Sequence, residues 1–133
     1  MSKKIKTILL VDDNDTDNFI NNRIIELTDF AEEIVIKNSG KKALEFLQER
    51  FDYKGTLPSL ILLDINMPIV DGFVFLYEFE AFPEELRNQC KIAILSSSDN
   101  ESDIERIVNN EYVIKFITKP LTEEGLLEVG DLL

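Results

Sequence analysis

The sequence predicts an α/β domain built on a doubly wound, five-stranded parallel sheet with helices on both faces. Three observations lead there. Five short apolar runs (Ile5 to Val11, Ile34 to Ile36, Leu60 to Asp64, Ile92 to Leu95, Val113 to Ile117) lack the strict in–out alternation of a strand with one wet face. Text with helical spacing follows each run, so strands and helices alternate with short connections. The runs end in polar residues: Asp12-Asp13, Asp64, Ser96 and Thr118-Lys119.

Taken in order, Ile8-Leu9-Leu10-Val11 reads as the buried centre of the first strand. Asn14-Asp15-Thr16-Asp17 then offers N-caps and acids suited to a helix N-terminus. Ile20, Ile24 and Leu27, spaced i, i+4, i+7, predict the inner stripe of the first helix, with Asp17, Asn18, Asn21 and Asn22 towards water. Ile34-Val35-Ile36, short and flanked by Glu33 and Lys37, predicts an edge strand. Ser39 is placed to cap a second helix with Ala43, Leu44 and Leu47 inside and Phe46 nearby; Glu49 to Ser59 reads as a long loop.

Leu60 to Asp64 is the third strand. After Asp71-Gly72 a third helix carries Phe75, Leu76, Phe79 and Phe82 on one face, leaves Val74 and Tyr77 off it, and is interrupted or ended by Pro83. Ile92 to Leu95 is the fourth strand, preceded by Cys90 as a packing residue. Ile104, Ile107 and Val108 mark a fourth helix. In the fifth strand Lys115 breaks the apolar run, as suits the other edge. Thr122 caps a last helix that Glu123 and Glu124 favour through the dipole, and Leu126, Leu127 and Val129 give its apolar side.

Length and composition bound the function. A chain of 133 residues, 44% hydrophobic, is one domain with a proper core. With 14 basic and 26 acidic residues the net charge is −12, which leaves no basic footprint for nucleic acid. No apolar run approaches the ~20 residues of a membrane span, and the basic start lacks the apolar segment of a signal peptide. One cysteine and no histidine fit a reducing cytoplasm. They also exclude a histidine base, a Cys/His zinc site and a Ser-His-Asp triad.

If the strands are parallel, the polar strand ends meet at one edge of the sheet, with neighbouring strands ~4.8 Å apart. Asp12, Asp13 and Asp64 would then repel pairwise by ~3 kcal/mol at ~5 Å and an effective dielectric of ~20. Lys119 alone cannot offset that, but a divalent cation can, and an all-oxygen donor set without His or Cys suits Mg²⁺. Lys119 adds a second positive point and Ser96 a hydroxyl. Asp64 thus faces what is needed to steady an incoming phosphoryl group, and a carboxylate can itself be the nucleophile. Each feature alone has an ordinary reading: Asp12-Asp13 as a solvated turn, Asp64 as a cap, Lys119 as a solvated lysine, Asp71-Gly72 as loop chemistry.

Four motifs in order resolve the choice. Val11-Asp12-Asp13, Leu63-Asp64-Ile65-Asn66-Met67-Pro68 through Asp71-Gly72, Ile94-Leu95-Ser96-Ser97 and Thr118-Lys119-Pro120 each fall at a predicted strand end. The chain resembles the receiver domains of two-component response regulators, of the single-domain CheY-like type, over nearly its whole length. The resemblance implies the flavodoxin-like strand order 2-1-3-4-5. It implies that Asp64 is the phosphorylated residue, and that Asp13, Asp64 and the backbone carbonyl of Asn66 bind Mg²⁺, with Asp12 acting through water. Lys119 would pair with the phosphoryl group beside a cis Lys119-Pro120 bond. Ser96 would turn inward to a phosphoryl oxygen, and Phe116 stands at the aromatic switch position, where many relatives carry Tyr. Asn66 and Ser98 would flank the phosphoryl group.

The expected function is a cytoplasmic switch. A sensor histidine kinase or phosphotransfer protein donates to Asp64, and the surface of the fourth helix, fifth strand and last helix is remodelled for a downstream protein. The acyl phosphate then hydrolyses slowly. The chain is expected to be a single receiver domain over residues 1–133 without an output domain, a switch rather than an enzyme, and a monomer or a phosphorylation-linked dimer, with Arg106 a candidate at the dimer contact. Asp17, Ile20, Asn21, Pro120 and Leu121 are the docking candidates. Two rivals remain. A Mg²⁺-dependent aspartyl-phosphate hydrolase normally wants an acid two residues past the nucleophile, where this chain has Asn66. A phosphate-independent pseudo-receiver would be expected to have lost one of Asp13, Asp64, Ser96 or Lys119.

Overall fold

The apolar runs form the strands of one sheet because each can be buried on both sides. A computed structural model describes residues 5–65, 72–96 and 110–133. Its strands are β1 (Ile5–Val11), β2 (Ala31–Lys37), β3 (Leu60–Asp64), β4 (Lys91–Ser96) and β5 (Val113–Thr118). All neighbours are parallel, in the order β2-β1-β3-β4-β5. The charge-flanked β2 and the Lys115-bearing β5 are the edges, as their sequences predict, although β2 is not the short run read from Ile34 to Ile36 but spans seven residues, Ala31–Lys37. The helices among the described residues are α1 (Asp15–Leu27), α2 (Gly40–Asp52), α3 (Gly72–Glu80), α4 (Glu84–Arg87) and α5 (Glu123–Gly130). None is long and apolar enough to cross a membrane. The fourth helix predicted around Ile104, Ile107 and Val108 lies outside the described residues, as do Arg106 and the Met67–Asp71 turn.

The pleat of the strands divides the core in two. Leu9, Val11, Ile61, Leu63, Ile92 and Ile94 face the layer of Ala43 and Leu47 from α2 and Phe75 and Phe79 from α3. Their neighbours Ile8, Leu10, Leu60, Leu62, Ala93 and Leu95 face Ile25 from α1 and Leu126 and Val129 from α5. Each fully buried side chain of this kind contributes ~1.5–3 kcal/mol relative to exposure. This two-sided burial explains why β1, β3 and β4 show no alternation in sequence. Phe79 also meets Phe82 and Tyr112 edge-on, with ring centroids 6.1 and 5.5 Å apart. That contact ties α3 to the entry of β5.

The caps follow the sequence: Asn14 Oδ1 accepts from the Asp17 amide, Ser39 Oγ from the Lys42 amide and Thr122 Oγ1 from the Gly125 amide. Three further expectations need correction. Helix α2 runs on to Asp52, so only the segment from Tyr53 forms the loop read from Glu49 to Ser59. Helix α3 stops at Glu80, so Phe82 packs on the core from beyond it, and the short α4 follows Pro83 with Leu86 inside. The third correction concerns α1. Its buried positions are Asn18, Asn21 and Ile25, while Ile20 and Leu27 are exposed and Ile24 is half-buried. The inner face begins with Asn18 because it starts over the polar end of β1, where the Asn18 Nδ2 donates to the Asp12 carbonyl at 2.8 Å.

Candidate functional site

Parallel strands deliver their C-terminal ends to one edge of the sheet, and the polar residues gather there. Asp64 closes β3, Asp12 and Asp13 follow β1, Ser96 closes β4 and Lys119 follows β5. Asp12, Asp64 and Ser96 are buried, at 2%, 4% and 0% exposure, while Asp13 is open to solvent. The Lys119 amide donates to the Ser96 carbonyl at 2.9 Å, which seats the lysine beside the end of β4. The Lys119-Pro120 peptide is cis. Phe116 is half-buried, opposite Ile94 in the β4–β5 register and packed on the α2/α3 side of the core.

Lys119 is the hub. Its Nζ lies 3.0 Å from Asp12 Oδ2, 2.9 Å from Asp17 Oδ2 and 3.5 Å from Asp64 Oδ2. Burial alone would lower its pKa, but hydrogen bonds to Asp17 and Asp12 and the charges of Asp12 and Asp64 outweigh burial and raise it above the ordinary lysine value. The ammonium is therefore a permanent cation. Asp12 is fixed at both ends: its Oδ1 accepts from the Asn14 amide at 2.9 Å, and its backbone carbonyl accepts from Asn18 Nδ2 at 2.8 Å. Neither Asp17 nor Asn18 points to water as the apolar spacing of α1 suggests. The signal that would have found Asp17 is its place in the first turn of α1, the turn that directly follows the polar end of β1.

Asp12, Asp13 and Asp64 each present a carboxylate oxygen, and these atoms lie within 4.8 Å of one another. One lysine, already shared with Asp17, leaves this cluster with excess negative charge. The donors are all hard oxygens, two of them held by a buried frame and one exposed, so the set fits Mg²⁺ or a similar divalent ion that keeps some of its waters. Asn66 and Ser98, assigned to the same pocket, lie outside the described residues. Of the docking candidates, Ile20 and Pro120 are exposed, but Asn21 and Leu121 are buried, at 5% and 3%, and so cannot meet a partner directly. Phe19, at 67% exposure beside Ile20, is an apolar surface residue that belongs to no predicted stripe.

The family described as the response regulator receiver domain matches residues 8–130. Response regulator Rcp1 of Synechocystis is 34% identical over 100 residues, covering 74% of this chain and 67% of that protein. A Mn²⁺-bound structure of response regulator Rcp1 superposes with a TM-score of 0.73 at 30% identity, covering 94% of this chain and 88% of that one. A two-component response regulator from Cytophaga hutchinsonii reaches a TM-score of 0.91 at 33% identity, covering 98% and 97% of the two chains. A phosphorylated cyanobacterial phytochrome response regulator, RcpA, reaches 0.75 at 31% identity, covering 95% and 89%.

Proposed function

The chain belongs to the response regulator receiver domain family, and from that premise we propose that Asp64 accepts a phosphoryl group from a phosphohistidine of a sensor kinase or phosphotransfer protein. The observation that carries the reading is the approach of the permanently charged Lys119 to the nearly buried Asp64, 3.5 Å away, beside the clustered Asp12 and Asp13. A carboxylate buried in that company is oriented to act as a nucleophile. An Asp64 oxygen bonds to phosphorus as the donor's P–N bond breaks, leaving an acyl phosphate. Lys119 draws the new phosphoryl charge towards β5, and the Ser96 hydroxyl, at the neighbouring strand end, donates to a phosphoryl oxygen. Asp13 and Asp64, with the Asn66 carbonyl, would hold Mg²⁺, and Asp12 would act on it through water. Mg²⁺ supplies charge neutralisation for the carboxylates and the transferring group. The Mn²⁺-bound Rcp1 and the phosphorylated RcpA support the cation and the modification respectively.

The signal then leaves through β5. Ser96 follows the phosphoryl group inward and Phe116, half-buried on the neighbouring strand opposite Ile94, changes its packing. The faces of β5 and α5 are thereby remodelled for a downstream protein. Phe116 lacks a hydroxyl, so the switch is one of burial rather than hydrogen bonding. Exposed Phe19 and Ile20, near the rim of the pocket on α1, are the surface for the phosphoryl donor. The protein works in the cytoplasm as a switch, as a monomer or a phosphorylation-linked dimer.

Acetyl phosphate with Mg²⁺ tests this by intact mass. A receiver gains one phosphoryl group and loses the gain with chelator. A pseudo-receiver gains none, and a hydrolase consumes many equivalents of a small phosphate ester without a lasting adduct.

A further inference from the structure

We propose that Asp17 is a rate-setting residue of the phosphoryl-acceptor site, acting through Lys119 as a charge that competes with Asp64 for the ammonium. The inference rests on the function proposed above and goes beyond it in adding a fourth carboxylate to the site.

The geometry is specific. Lys119 Nζ lies within hydrogen-bond reach of Asp17 at 2.9 Å and of Asp12 at 3.0 Å, but stands 3.5 Å from Asp64, beyond the ordinary N–H···O range. The ammonium is thus drawn most closely to the two carboxylates that do not react. Asp17 is held in place, since its amide donates to Asn14 Oδ1 at 2.9 Å in the first turn of α1. Its side chain is 35% exposed, against 3% for Asp12. Asp12 is locked into the frame of the pocket, whereas Asp17 reaches in from the rim and is the member of the set that can be removed without opening the core.

The chemistry gives the sign. A phosphoryl donor brings negative charge to Asp64, and Lys119 is the side-chain cation that meets it. A carboxylate bonded to that cation cancels part of its field at the reacting atoms. Asp17 therefore slows phosphoryl uptake and keeps the resting state populated. Asparagine at this position retains an acceptor for Nζ and removes only the charge. Glutamate retains the charge. Alanine removes both.

The test measures the initial rate of phosphorylation by acetyl phosphate with Mg²⁺, by intact mass, for wild type, Asp17→Asn, Asp17→Ala and Asp17→Glu. Each is run at low salt and at about 0.5 M salt, where charges at a partly exposed site are screened. The expected result is a rise of roughly threefold to tenfold for Asn at low salt, shrinking at high salt, a rise for Ala as well, and a rate for Glu nearer to wild type than to Asn. A role for Asp17 in merely positioning Lys119 predicts the opposite, a slower Ala variant and no gain for Asn, and that result overturns the proposal. Wild-type protein that takes up phosphate while Asn shows no gain defeats this inference alone. Wild-type protein that takes up none defeats it together with the function on which it rests.

Discussion

Lys119 Nζ stands 3.5 Å from Asp64 Oδ2, joining the loop after β5 to the tip of β3 across the end of β4. The pair exists because parallel strands bring both ends to one edge, where Asp12 and Asp17 also share the ammonium. Lys119→Gln removes a cation from between two nearly buried carboxylates. We expect a loss of about 2–3 kcal/mol in urea unfolding without metal, since an uncompensated buried charge remains. Saturating Mg²⁺ recovers much of that loss by binding only the folded state. Phosphorylation by acetyl phosphate falls by about a hundredfold even with Mg²⁺ present.

Gly72 opens α3 against Ile65, just beyond Asp64. Its amide donates to the Ile65 carbonyl at 3.1 Å, and a Cβ at this position would lie 2.5 Å from Ile65 Cα. The obstacle is backbone, which cannot turn aside as a side-chain tip can. Gly72→Ala should therefore cost about 2–3 kcal/mol in equilibrium unfolding. Gly125→Ala, where the nearest atom is the Thr122 hydroxyl at 3.3 Å, serves as the milder comparison.

Cys90 is fully buried ahead of β4, and burial pushes its thiol pKa up from 9.0 to about 12. The folded state thus holds the proton more tightly than the unfolded chain. The associated stability is fully present below 9.0 and is lost as the pH climbs towards about 12. The stability gap between wild type and Cys90→Ala should narrow over that interval. At about pH 8 a thiol reagent should label the native protein far more slowly than the urea-unfolded chain, because the native thiol is both covered and protonated.

The strands and the main site were legible for one physical reason. Strands buried on both faces carry almost wholly apolar text, so Asp12, Asp64 and Ser96 at the ends of β1, β3 and β4 stand out against it, although Thr7, buried within β1, is accommodated because its hydroxyl donates to Glu33 Oε1. Ser39 and Thr122 were legible as caps because a hydroxyl three residues ahead of an amide is a local relationship. The inner face of α1 was not legible, because apolar spacing marks a buried face only where the neighbouring surface is apolar. Here the neighbour of the first turns is the Asp12 carbonyl, so Asn18 goes inside, while Ile20 and Leu27 lie exposed. The Asp17 contact was hidden for a related reason. It joins α1 to the loop after β5, and the strand order that brings those segments together came from the resemblance rather than from local pattern.

The central claim is that Asp64 carries the phosphoryl group. The direct measurement is the site of the adduct formed with acetyl phosphate and Mg²⁺, mapped by fragment masses and repeated on Asp64→Asn. The account predicts one phosphoryl group on Asp64 in the wild type and no adduct in the variant. An adduct on another residue, or one that survives in Asp64→Asn, would contradict it.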